Sequence, residues 1–533
     1  MENKKIPIID LFAGPGGLGE GFSSIYDQGQ RVFDIKLSIE KDENAQKTLE
    51  LRSFFRKFNK ENVPEEYYNV LRETNLVERE KLIEKLFCKY PYQGQLAKEE
   101  AWKATLGSEE FPSSKVDQRI KEALNGNTEW LLIGGPPCQA YSMAGRSRVG
   151  GIDSGDHRVY LYKEYLRIIA EHQPSVFVME NVKGLLSAKV NGDKVFDWIL
   201  GDLQNPSSIF KASKSAKYRV YSLSTKPEGF NEEGNPIYKF DKDFLIHSEK
   251  FNVPQKRHRV ILLGIREDIK VTPSILNSRD KELDLKDVIG DLPKLRSGLG
   301  RSIISTEKIN GKKKRIYKKE VDNQENWSKT IKSFNDEIMS WGVFNSNDNP
   351  KKEASCSLGL GGEFVLCNTP SINNPLKDWY LDDNIGGICN HQSRSHLVED
   401  IKRYLFASIY AKKYKRFPRL KDFEEYSDGL LPDHESAKSG KFADRFRVQM
   451  PYGAATTVTS HISKDGHYFI HYDPGQCRSL TVREAARIQT FPDNYLFRGS
   501  RTAQYHQVGN AVPPYLAFQI AEIVEKILKK VEA

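Results

Sequence analysis

The tightest constraint on this chain is a row of short apolar runs, each ending in residues that can bind or react. Ile6-Pro7-Ile8-Ile9-Asp10-Leu11 runs into a glycine-rich turn and a predicted helix. Lys36-Leu37-Ser38-Ile39 ends in Glu40, and Trp130-Leu131-Leu132-Ile133 runs into Gly134-Gly135-Pro136-Pro137-Cys138-Gln139. Val176-Phe177-Val178-Met179 ends in Glu180-Asn181-Val182, after a helical stretch near residues 160–171. Apolar runs of four to six residues alternating with helices predict parallel βαβ units, hence an α/β fold. Such sheets place their chemistry at the carboxyl edge of the strands. The residues that end these runs are therefore expected to converge. Residues 218–223 and 258–265 read as late strands of the same sheet, and Pro514–Lys530 as a helix with Leu516, Ile520, Ile523, Val524, Ile527 and Leu528 on one face.

With 533 residues the chain is long enough for more than one domain. No stretch approaches the ~18 consecutive apolar residues of a membrane helix, and the start, Met1-Glu2-Asn3-Lys4-Lys5, lacks a signal peptide's apolar region. Six scattered cysteines (88, 138, 356, 367, 389, 477) do not suggest a disulfide framework, so a reducing cytoplasm is expected. A net charge of +9 permits a polyanionic partner. Residues 52–125 are rich in Glu, Lys and Arg with helical spacing at Leu82, Ile83 and Leu86, and predict a helical insertion on the sheet's periphery. From 267 to 477 the apolar runs shorten and basic clusters appear, Lys312-Lys313-Lys314-Arg315 and Lys412-Lys413-Tyr414-Lys415-Arg416 among them. The expected division is 1–266, a smaller mixed domain over 267–477, and a return segment over 478–533 that completes the first.

Gly14-Pro15-Gly16-Gly17-Leu18-Gly19 is a literal G-x-G-x-x-G between a strand and a helix, with Glu40 about 20 residues on. Glycines let a ligand approach the backbone and a carboxylate receives ribose hydroxyls. Cofactors of several kinds share that geometry. Cys138 would be a strong nucleophile as a thiolate, whereas an ordinary free cysteine is a small buried hydrophobe. Cys356, Cys367, Cys389, His391 and His396 match no common structural-zinc spacing, so packing is expected there and no metal.

Taken together with Gln255-Lys256-Arg257-His258-Arg259, Arg478-Ser479-Leu480-Thr481-Val482-Arg483-Glu484 and Gln507-Val508-Gly509-Asn510-Ala511-Val512, these blocks resemble the DNA cytosine-C5 methyltransferase family in its motif order. The resemblance covers roughly 6–50, 130–265 and 478–530. It implies a Rossmann-like S-adenosylmethionine-dependent methyltransferase sheet, mostly parallel with one antiparallel late strand, plus a target-recognition domain over 267–477. Double-stranded DNA is the implied substrate and S-adenosyl-L-methionine the methyl donor. Cognate restriction or defence proteins are implied partners, and the enzyme is expected to act as a monomer on DNA.

By the same resemblance, the Cys138 thiolate would add at cytosine C6 and so make C5 nucleophilic. Glu180 would hold N3 and the exocyclic amino group, while Arg257 and Arg259 supply a positive field. Surface ion pairs are the plainer expectation for Lys256 and His258. Asp10, Phe12, Ala13, Gly14, Gly16, Gly17, Glu40, Pro136, Leu161, Asn510 and Val512 would line the cofactor. The family's acidic residue at the third strand has no counterpart in Ala104-Thr105-Leu106-Gly107. The base must leave the duplex, because C5 and C6 are out of reach inside the stack. Two other readings use the same residues differently: an RNA cytosine-5 methyltransferase, and a DNA-binding relative without catalysis. The roughly 210-residue recognition segment argues against the first, and the Cys138–Glu180–Arg259 set against the second.

Overall fold

The computed structural model describes residues 5–137, 157–190, 192–210, 216–309, 312–344, 356–368, 372–432 and 444–532. Its centre is an eight-stranded sheet. The strands are β1 (Ile6–Leu11), β2 (Phe33–Glu40), β3 (Ala101–Lys103), β4 (Leu131–Gly134), β5 (Val176–Val182), β6 (Tyr218–Ser222), β7 (Leu245–His247) and β8 (His258–Arg266). They lie in the order β6-β8-β5-β4-β1-β2-β3, with β7 pairing only β8. The run from β5 to β3 is parallel throughout. Strand β8 is the reversed one, antiparallel to β5, β6 and β7. Every strand expected from the sequence is present, including the late antiparallel one.

Apolar residues on both faces explain why these strands read as near-continuous hydrophobic runs. Alternate side chains of each strand enter opposite layers. Ile9, Leu11, Leu37, Ile39 and Leu132 join a core with α6 (Ser113–Leu124), α7 (His157–His172) and α8 (Val195–Gln204). Ile8, Ile35, Leu131, Ile133 and Val178 face α1 (Gly17–Phe22) and the C-terminal helix α12 (Pro514–Glu532). All six residues expected on the apolar stripe of α12 are buried in that second core.

The 52–125 stretch is not purely helical. Helices α2 (Glu43–Arg56), α3 (Glu65–Arg72), α4 (Leu76–Lys89) and α5 (Pro91–Glu100) lead into β3, the sheet's edge strand. Three residues, Ala-Trp-Lys, are too few to show the two-residue alternation that betrays a strand. Aromatic and aliphatic residues of α2 to α5 pack with Ile385, Cys389 and Leu496, far away in sequence. Past residue 266 the chain stays under the sheet for a while, since Ile269 and Leu276 belong to the α12 core. Further on, Arg301–Ile309 (β9) and Lys312–Lys319 (β10) form an antiparallel two-stranded ribbon, paired only with each other. No described helix is long and apolar enough to cross a membrane.

Candidate active site

Two backbone turns at the carboxyl edge of the sheet build the site, one after β1 and one after β4. After Leu11 the backbone enters the left-handed region at Phe12 (φ 57°), Gly14 (57°) and Gly16 (92°). The turn is closed by Gly16 N–H donating to Ala13 O (2.9 Å) and Ala13 N–H donating to Ile39 O (3.2 Å). Glu40, at the end of β2, caps the turn from the side. Its carboxylate accepts from Gly14 N–H and Asp42 N–H, both at 2.8 Å. Burial pushes the Glu40 carboxyl above its usual range.

The glycines of this turn divide into two jobs. A Cβ on Gly14 would meet nothing within 4 Å, so this position is open toward whatever the turn receives. At Gly17 a Cβ would lie 2.1 Å from Val512 O, and at Gly16 one would lie 2.7 Å from Leu49 Cδ2. At those two positions the missing Cβ lets α1 lie against the C-terminal segment and α2. Asp10, 1% exposed, sits behind the turn with both carboxylate oxygens buried and without a hydrogen-bond partner. Burial drives its carboxyl well above the ordinary range.

The second turn follows β4. A Cβ on Gly134 would be 2.5 Å from Leu11 O, and one on Gly135 would be 2.9 Å from Glu180 Oε2. Only a pair of glycines can thread between the end of β1 and the Glu180 carboxylate. Pro136 is buried beyond them; Cys138 lies outside the described residues. Glu180 stands near the end of β5, opposite Ile261 of β8, and its Oε1 is 2.6 Å from Arg259 Nε. Each partner's side chain is 14% exposed, so the pair is sheltered but reachable.

Of the two arginines expected beside the base, only Arg259 reaches Glu180. Arg257 is buried and donates through Nη1 to Val458 O (2.9 Å) and Gly509 O (3.3 Å). Burial, reinforced by Arg259, holds its guanidinium well below the usual range. Its place is that of a strut, tying the Gly509–Val512 segment to the catalytic strand. Leu161, expected at a helix entrance lining the cofactor, lies one turn inside α7 and packs in the core layer that Phe12 also touches. Asn510 is exposed at the end of α11 (Arg501–Asn510), and Val512 is buried against Gly17.

The sequence profile described as C-5 cytosine-specific DNA methylase matches residues 99–207 and 215–526. The chain belongs to this family. Its enzyme class is DNA (cytosine-5-)-methyltransferase. Type II methyltransferase M.Bpa9945I of Bacillus paralicheniformis is 32% identical over 539 residues, covering 98% of this chain and 99% of that protein. DNA (cytosine-5-)-methyltransferase M.ApeKI of Aeropyrum pernix is 27% identical, over 76% of this chain and 83% of its own. Among solved structures, a prophage-encoded E. coli protein described as a DNA modification methyltransferase shares the fold with a TM-score of 0.50. It is 19% identical, over 98% of this chain and 100% of that one.

Two glutamines of this methylase, Gln255 at the start of the Gln255–Arg259 block and Gln489 shortly after the Arg478–Glu484 block, tie these segments together. Gln255 Nε2 donates to Ile488 O (3.0 Å) and Gln489 Oε1 (2.6 Å), while its Oε1 accepts from Val458 N–H at 3.0 Å. Gln489 Nε2 in turn donates to Val508 O at 2.7 Å. Both side chains are fully buried. A signal existed in the sequence: an amide side chain flanking each of two motif blocks suits a residue that must both donate and accept. The Arg478–Glu484 block is likewise architectural. Arg478 makes two 2.7 Å bonds to Glu484, which caps helix α10 (Val482–Ile488) together with Thr481. Arg483 donates to the carbonyls of Cys389, Pro492 and Tyr495. The cysteine–histidine group also resolves into packing: His391 bonds Thr481 Oγ1 and Pro293 O, and the Cys389 thiol faces Leu71 O.

Proposed function

We propose that this methylase transfers a methyl group from S-adenosyl-L-methionine to C5 of a cytosine swung out of duplex DNA, through a covalent Cys138–C6 adduct. The observation that carries the proposal is the Glu180–Arg259 pair, with Gly135 pressed against the same carboxylate. Cys138 follows Gly135 by three residues in the sequence, and it is the thiol this reading pairs with the held carboxyl group.

The donor supplies an electrophilic methyl on a sulfonium. Residues of the first turn fit it. Gly14 leaves an open backbone face, Glu40 stands beside it as a ribose acceptor, and Asp10, Phe12, Ala13, Gly16, Gly17, Pro136, Asn510 and Val512 frame or support that edge. Cys138 as thiolate forms a bond to C6, and the displaced electron pair makes C5 the nucleophile. Glu180 hydrogen-bonds N3 and the exocyclic amine, so negative charge does not accumulate on the ring. Arg259 keeps the Glu180 carboxyl oriented. C5 takes the methyl as the sulfonium sulfur leaves as a neutral thioether, and release of the C5 proton to water then pushes the Cys138 thiolate off C6 and restores the aromatic ring.

Duplex DNA as substrate accords with the ribbon β9–β10, in residues 267–477, which we assign to target recognition. Two-stranded ribbons fit the major groove, and this one carries Arg301, Lys308, Lys312, Lys313, Lys314, Arg315, Lys318 and Lys319 against Glu307 alone. At its foot lies a cleft of about 530 Å³ bordered by Arg301, Tyr317, Lys319 and His396. The Arg301 guanidinium stacks 3.9 Å over the Tyr317 ring there. We place the enzyme in the cytoplasm as a monomer on DNA, in a restriction-modification or phage-defence pair.

The test is transfer of radiolabel from S-adenosyl-L-methionine to mixed-sequence duplex DNA by the wild type and by Cys138→Ala. Label in duplex DNA that C138A abolishes, with trapping of the wild type on 5-fluorocytosine duplexes, is the expected result. Label in RNA only, none at all, or undiminished transfer by C138A rejects the proposal.

A further inference from the structure

Outside the site just described, one group of side chains has the composition and spacing of a metal centre. His247 on β7 and His258 on β8 are direct cross-strand partners. Their rings lie 4.1 Å apart between centroids. Glu249, just after β7, reaches both: its Oε1 is 2.9 Å from His258 Nε2 and 3.7 Å from His247 Nδ1. One donor atom from each of the three falls within 4.8 Å of the others. The second carboxylate oxygen of Glu249 is buried and has no hydrogen-bond partner, although that side chain is only 10% exposed. A lone pair withdrawn from water with nothing to accept is unfavourable. The His258 bond alone leaves that lone pair unanswered.

We propose that His247, Glu249 and His258 form a binding site for a divalent transition-metal ion of the zinc type. Two imidazoles and a carboxylate are a donor set suited to zinc. Magnesium and calcium prefer all-oxygen shells, and no thiolate stands in the trio to favour softer ions. Around a tetrahedral ion with bonds of about 2.0–2.2 Å, donors lie roughly 3.2–3.6 Å apart. The His247–Glu249 separation of 3.7 Å already stands close to that spacing, and the His247 side chain is half-exposed at 39%. Three protein donors leave a fourth position for water on the exposed side.

The location gives the site a consequence. Ser248, between His247 and Glu249, donates N–H (3.3 Å) and Oγ–H (2.5 Å) to Arg257 O, and Ile246 pairs with Arg259. An ion here clamps β7 onto β8 at the stretch bearing both arginines. Side chains alternate along a strand, so the ion sits on the opposite side of β8 from the Glu180 contact and takes no part in the chemistry. The site stands on its own geometry, whatever the outcome for Cys138.

The full-length protein, stripped with EDTA and dialysed, is titrated with Zn²⁺ by calorimetry and with Co²⁺ by visible absorption. The expected result is one saturable site, weakened at least about tenfold in His247→Gln, since even outer-shell changes alter metal affinity by ~10–100-fold. Glu249→Gln should weaken it too, with circular dichroism confirming that each variant folds. H247Q changes an exposed side chain, so it keeps the test decisive if E249Q fails to fold. Absence of saturable Zn²⁺ uptake, equal affinity in H247Q, or a thiolate charge-transfer band in the Co²⁺ spectrum would overturn the assignment.

Discussion

Glu180–Arg259 and Arg478–Glu484 are arginine–carboxylate pairs of almost equal length, 2.6 and 2.7 Å, drawn from blocks of the same family pattern. Their surroundings differ. The first pair is 14% exposed on both sides, at the lip of the turn that leads to Cys138. The second is 0% and 1% exposed, bonded at both oxygens, with His471 3.6 Å away. A fully desolvated pair is costly to break because the surviving charge has no water to turn to. A pair at a lip can exchange one contact for a substrate without that penalty. The same chemistry thus sits within reach of a ligand in one place and is locked into the core in the other, and burial marks the difference.

Removing one carboxylate from each pair gives the sharpest way to break this contrast. Glu180→Gln should lower the rate of methyl transfer by ~10²–10⁴-fold, the range that positioned acid–base groups contribute, while its denaturation midpoint stays close to wild type. Glu484→Gln should instead cost ~3–5 kcal/mol of stability, read by urea denaturation. If E180Q unfolds the protein or E484Q leaves its stability unchanged, the division between the two pairs fails.

Acid should find the buried pair first. Burial holds His391 and His471 down at about 4, and Arg478 keeps Glu484 well below the carboxylate range. The unfolded histidines take up protons near pH 6.5, where the folded ones do not. Stability therefore falls as pH drops from about 6.5 to 4. Glu484 adds to the loss below its unfolded value of about 4.3. Asp10 and Glu40 act in the opposite sense, since their folded carboxyls hold protons more tightly than the unfolded ones. Denaturation at pH 7, 5.5 and 4.5 should show a steady loss, shallower in His471→Gln. A flat profile, or an unchanged slope in H471Q, would contradict this account.

The smallest effect concerns the ribbon, where Lys314 and Lys319 are exposed. Lys314→Ala or Lys319→Ala should weaken binding to all duplexes alike and reduce the salt dependence of log K by about 0.9 for each phosphate left without its lysine. Filter binding across a salt series measures it. Loss of selectivity at one base position, with the salt slope intact, would show that the altered lysine reads a base instead.

Much of the fold was legible in the sequence, for definite reasons. The sheet could be read because strands buried on both faces leave continuous apolar runs, and the convergence of Glu40, Glu180 and the Gly-Gly-Pro-Pro loop follows from parallel strands ending on one edge. Surface ion pairs were expected at Lys256 and His258; Lys256 stands 3.5 Å from Glu282, whereas His258 meets the sheltered Glu249 carboxylate at hydrogen-bonding distance. What could not be read depends on partners far along the chain. Whether the space beside a glycine stays open, as at Gly14, or is filled by Val512 O, as at Gly17, is decided by a segment about 500 residues away. Arg257 and Arg259 look equivalent in Gln-Lys-Arg-His-Arg, and two-residue alternation would put both on one face, yet Arg257 lies just before β8 begins and reaches Val458 and Gly509, while Arg259 inside the strand reaches Glu180.

The seat of Val512 against Gly17 bears on when such a protein can begin to work. During synthesis the first turn leaves the ribosome hundreds of residues before the stretch that walls it. Until Val512 and the helix behind it emerge, α1 has an uncovered apolar flank and no partner to hold it. The first turn therefore reaches its final packing only once residues about 500 positions further along have been made.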